Sequence, residues 1–79
     1  MSDYVFMDWA PVRDAYPKVA VATDAGREYV IWELQSGYQV AARTPINGLR
    51  QRKWLHRALL PTIGEAITQA EQWRWAERP

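Results

Sequence analysis

The chain has 79 residues, 48% of them apolar and 24% charged, a composition that points to one small globular domain over residues 1–79 rather than a disordered chain. It has no cysteine and one histidine, His56, which excludes disulfides, cysteine–zinc sites, a thiol nucleophile and a relay of histidines. The formal net charge of +1 conceals an uneven distribution: residues 1–33 carry six acids against three bases, whereas residues 34–64 carry five bases and no acid at all.

In chain order, Tyr4–Met7 has the character of a short strand, and a fourth strand over residues 3–7 is one option. Asp8 stands where a helix N-cap would stand, and Pro17 closes the segment. Residues 8–16 are therefore open to a short helix or an edge strand, and an irregular or short helical segment is the expected form. Lys18–Thr23 is β-prone, with Val19 and Val21 alternating against alanines. Asp24-Ala25-Gly26 reads as a three-residue hairpin loop in which Gly26 supplies a positive φ. Glu28–Leu34 is the strongest strand, with Tyr29, Ile31 and Glu33 facing one way and Val30, Trp32 and Leu34 the other. Gln35-Ser36-Gly37 forms a second turn, Tyr38–Thr44 a third strand, and Pro45 stops it. A middle strand that is apolar on both faces predicts a sheet covered, at least partly, on both sides.

Two helices are expected next. Asn47 is placed to cap a helix over about 48–59, in which Trp54, Leu55, Ala58 and Leu59 share an arc of about 140°. Arg50, Arg52, Lys53, His56 and Arg57 fill the opposite arc. Pro61 forces a break, and Thr62-Ile63-Gly64-Glu65 is a capping box opening a last helix over about 63–76. Its apolar stripe is Ile63, Ala66, Ile67, Ala70 and Trp73, while Trp75 lies about 140° away and is open to two readings, exposed to solvent or folded back on the N-terminal segment. The expected fold is thus α+β: a three-stranded antiparallel meander over about 18–44, packed by the C-terminal helix, with the short basic amphipathic helix across an edge or the second face.

Two groups of side chains are candidates for binding. The basic arc suits phosphates or an acidic protein surface. As a nucleic-acid surface it would comprise Arg43, Arg50, Arg52, Lys53, His56 and Arg57. As a protein-binding surface, Arg50, Arg52, Lys53 and Arg57 would be the charged rim around an anchor of Trp75, Arg74 and Trp9, residue types that dominate interface energetics. Trp32, Trp54 and Trp73 read as core. No pair of carboxylates, nucleophile–base ordering, Gly-rich phosphate loop or metal-ligand spacing appears, so no catalysis, cofactor or metal is expected. No run reaches the roughly 18 apolar residues of a membrane span. The acidic opening MSDYVFMDW lacks an apolar signal core, so a cytoplasmic protein is expected. A chain of this size buries only about 60% of its unfolded surface, which places a homodimer among the expected partners.

The order strand, strand, strand, helix, with T-x-x-E-A-x-x-x-A-E-x-W at residues 62–73, resembles the three-stranded DNA-binding domain of phage integrases. That resemblance implies a sheet face entering the major groove and a C-terminal helix packed behind it. In size, layout and lack of both cysteine and catalytic motif, the chain also resembles the small inhibitors of host machinery encoded by phages and mobile elements, anti-CRISPR proteins among them. This second resemblance implies a non-catalytic module that occludes a partner surface, its partner being a host protein or complex with an acidic patch. A small nucleic-acid-binding protein is the alternative.

Overall fold

The computed structural model describes residues 5–44 and 53–76. They form five strands and one helix: β1 (Ala10–Pro11), β2 (Lys18–Asp24), β3 (Arg27–Leu34), β4 (Gly37–Arg43), β5 (Trp54–Leu60) and α1 (Ile63–Ala76). All neighbouring strands are antiparallel and lie in sequence order, so the sheet is a simple meander with β3 at its centre. The helix lies on one face.

The predicted strands over residues 18–44 and the predicted C-terminal helix are present. The first hairpin differs in detail. Asp24 pairs with Arg27, leaving a two-residue turn of Ala25 and Gly26. Both have positive φ, 52° and 75°, as a type I′ turn requires. The second hairpin also has two turn residues, because Leu34 pairs with Gly37.

The short basic helix over 48–59 is not borne out where the structure describes it: residues 54–60 are β5, and residues 48–52 lie outside the described residues. The reason is tertiary. β4 is buried along Val40, Ala41, Ala42 and Arg43, and its outer backbone groups need partners. β5 supplies them along the whole strand, from Tyr38↔Leu60 to Arg43↔Trp54. Strand pairing thereby overrides a helical spacing that was only a weak local preference.

Residues 8–16 are likewise not helical, and of the two options the edge strand is the one formed, at Ala10–Pro11. Residues 5–9 are irregular, and Ala10–Pro11 pairs with Ala20 and Val21 at the edge of β2. The strand considered over residues 3–7 is not formed at 5–7, and residues 3 and 4 lie outside the described residues.

The core lies between sheet and helix. Ala20, Ala22, Tyr29, Ile31, Val40 and Ala42 face Ala66 and Ala70, with Met7 closing one side. The two helix alanines are fully buried, and their small side chains let α1 approach the sheet closely. Ile67 and Trp73 pack at the margin, and the Trp73 indole stacks on His56 at 5.2 Å. Ile63, also on the predicted stripe, is exposed. At the helix start the Glu65 N–H donates to Thr62 Oγ1 at 3.2 Å, as the capping box predicts. The Glu65 carboxylate, however, accepts from the Thr62 hydroxyl at 3.0 Å instead of from its backbone.

The other face of the sheet carries no helix among the described residues, yet Val30 and Ala41 at its centre are fully buried. What stands over them is the candidate site.

Candidate functional site

Strand alternation and register decide which side chains reach this open face. Opposite residues of antiparallel strands share a face. Lys18, Trp32, Gln39 and Leu59 therefore form one row across β2 to β5. Val21, Val30, Ala41 and Arg57 form the next row, and Thr23, Glu28, Arg43 and Trp54 the third.

Two β-bulges complete the arrangement. In β5 the register passes from Ala42↔His56 to Arg43↔Trp54, so Leu55 is the extra residue. Leu55 and His56 both stay with the helix side, and Trp54 emerges on the open face opposite Arg43. Regular alternation would have put Trp54 on the same side as His56. In β2 the register slips between Lys18 and Ala20, with Val19 packed toward the core and Lys18 opposite Trp32. Bulges re-aim side chains in this way.

Trp32 and Trp54 come from strands two apart and meet across β4, with ring centroids 5.9 Å apart. The residue between them on that face is Ala41, small enough to let the rings lean together. The Arg43 guanidinium joins them, 5.4 Å from the Trp32 ring and 5.1 Å from the Trp54 ring. Arg57 approaches Trp54 at 5.9 Å. Such contacts are worth about 0.5–2 kcal/mol each, more where water is excluded.

Arg43 is only 4% exposed. Its Nε donates to Glu28 Oε1 at 2.7 Å, which balances its charge. Its Nη2 is buried and has no hydrogen-bond partner among the described residues. Trp54 remains 47% exposed and Leu59 53% exposed, so the cluster has a buried cationic base and an open apolar top. Lys53 flanks it: its backbone pairs with Thr44, extending the hairpin beyond β5.

The other predicted site residues fall elsewhere. Arg57 and Arg43 belong to the cluster, and Lys53 adjoins it. His56 faces the helix against Trp73. Arg50 and Arg52 lie outside the described residues. Trp9 and Arg74 are internal: both are held by Glu71, the Trp9 Nε1–H donating to Oε2 at 2.9 Å and Arg74 Nη1 to Oε1 at 3.1 Å. Arg74 also binds Asp24 at 2.9 Å and the Val5 carbonyl at 2.7 Å. Trp75 is 53% exposed, which decides between the two readings left open for it, but it sits on α1 behind the sheet, away from the cluster. Trp32 and Trp54, read from the sequence as core, are the aromatic elements of the open face. Assigning residues 54–60 to a strand would have exposed the Trp54–Arg57 relation only partly, because the bulge at Leu55 has no signature in the sequence.

No helix of the described residues is long and apolar enough to cross a membrane. Compared with protein-family models, curated proteins and solved structures, the chain matches none.

Proposed function

We propose that the protein is a non-catalytic binding module that docks through the open face of its sheet and acts by covering an anionic surface of its partner. The observation that carries this reading is the Trp32–Arg43–Trp54–Arg57 cluster. Tryptophan and arginine, partly desolvated and close together, are the residues that concentrate binding energy at interfaces. Leu59 extends the apolar top, and Lys18, Lys53 and Arg57 provide a cationic margin. Occlusion of a partner surface is the mode of action of small inhibitors of host machinery, and this size and layout fit it. Trp9 and Arg74 take no part, since their polar groups hold the fold together.

The test is capture of a macromolecule from cell lysate on immobilised protein, compared among wild type, Trp54→Leu, Arg57→Glu and Trp75→Leu. Capture should be lost with the two open-face variants and kept with Trp75→Leu. Loss only with Trp75→Leu would move the binding surface to the helix side and end this reading.

A further inference from the structure

Resting on the open-face reading, the chemistry of the cluster narrows the partner. We infer that the open face binds single-stranded nucleic acid, with a phosphate at Arg43 and Arg57 and an unpaired base stacked on Trp54. Three features of the face support this assignment.

The first is the orphaned Nη2 of Arg43. A guanidinium N–H left without an acceptor in a buried position carries its full desolvation penalty uncompensated. Arg43 is buried, so an oxyanion would have to shift the half-exposed Trp54 ring to meet that N–H, where it would supply the acceptor as a charge-assisted bond. Glu28 takes Nε, and Nη2 stays without an acceptor among the described residues.

The second is charge. Among the described residues the face carries Lys18, Arg57 and the buried Arg43 against Glu28, and Lys53 stands beside it. The chain from 34 to 64 contributes five bases and no acid, so nothing in β4 or β5 repels an anion.

The third is the flat indole of Trp54, nearly half exposed directly beside the cations. An acidic peptide would use the cations but has no ring to place on Trp54. In a duplex the bases are already stacked and paired, which leaves only phosphates for the face. A single strand offers anions and free π-faces in alternation, the combination that stacking platforms with cationic grooves recognise.

The experiment is a fluorescence-anisotropy titration with a labelled twelve-residue oligothymidylate. Its duplex with oligodeoxyadenylate is titrated in parallel, and poly-L-glutamate is added as competitor. The single strand should bind about 5- to 100-fold more tightly than the duplex, the gain from stacking one base. Two to three neutralised phosphates predict a loss of about 7- to 20-fold between 50 and 200 mM salt. Trp54→Leu should weaken binding about 5- to 100-fold, and Arg57→Glu should weaken it and flatten the salt dependence, while Trp75→Leu changes neither. Both open-face substitutions are at exposed positions, so circular dichroism should show them folded.

Equal affinity for single strand and duplex, or displacement by poly-glutamate at matched charge, would overturn the single-strand assignment. So would no oligonucleotide binding by a protein whose lysate capture still depends on Trp54 and Arg57, and in that case the open-face reading stands. If neither oligonucleotide nor lysate partner depends on those residues, both fall.

Discussion

Glu71 is the residue on which most of the polar architecture converges. It is 4% exposed on α1, and its carboxylate accepts from the Met7 backbone N–H at 2.8 Å, from Trp9 Nε1 and from Arg74. A buried carboxylate is tolerable only with such a full set of donors. Glu71→Ala should therefore destabilise the protein by about 3–5 kcal/mol, because Arg74 and the Met7 N–H lose their acceptor. Urea unfolding followed by tryptophan fluorescence would measure this, and a loss below about 1 kcal/mol would show that the network contributes little. Tyr29 adds a pH dependence. Burial raises its phenol above the ordinary value of 10.0; Asp24 and Glu71 add to the shift, while Arg27 and Arg74 oppose it. A group whose pKa is raised on folding stabilises fully below its unfolded pKa and loses that contribution as pH climbs through the folded one. Stability should thus fall as the pH rises above about 10, and Tyr29→Phe should flatten that fall. An identical alkaline slope in the variant would assign the effect elsewhere. Tyr38 is also raised, chiefly by the charge of Glu33 and the hydrogen bond to it, so the comparison is made with Tyr38 intact.

Among the elements, the β3–β4 hairpin depends on a single backbone conformation. Gly37 has φ of +140°, and a Cβ there would lie 2.5 Å from the Leu60 carbonyl oxygen of β5. Neither the conformation nor the space suits a side chain. Gly37→Ala should cost about 2–4 kcal/mol, by combined strain and displacement of β5, read as a lowered thermal midpoint. A midpoint unchanged within error would mean that the hairpin end is looser than its geometry indicates. The same edge strand explains why residues 54–60 are misread from sequence. Trp54, Leu55, Ala58 and Leu59 do fall on one helical arc, but in β5 Ala58 faces the helix while Trp54 and Leu59 face the open side. A seven-residue segment with mixed spacing is decided by whichever neighbour needs it, and here that neighbour is β4.

At the scale of the whole molecule, the N-terminal segment joins the two layers. Val5, Met7 and Trp9 contact α1 through Arg74 and Glu71, and Ala10–Pro11 continues into the sheet. Removing residues 1–9 should lower stability by several kcal/mol, since a core side chain and two of the Glu71 donors leave together. In the Glu71→Ala background the same truncation should cost less, a non-additivity that a double-mutant cycle reads directly. Full additivity would mean that the segment and Glu71 act independently. Much of this layout is legible in the residues alone. The alternating pattern of Glu28–Leu34, the two hairpin turns, the Thr62 cap and the Ala66/Ala70 stripe are local signals, because each follows from the period of one element or the chemistry of one turn. The uneven charge and the lack of acids over residues 34–64 are equally plain. What only the tertiary structure decided is the identity of 54–60 as a strand, the burial of Glu71, and the meeting of Trp32, Arg43 and Trp54. Those depend on β4 requiring a partner, on the N-terminal segment bringing donors to α1, and on a one-residue bulge turning Trp54 to the other face. Each is a contact between segments distant in the chain, and neither residue type nor spacing within one segment encodes it.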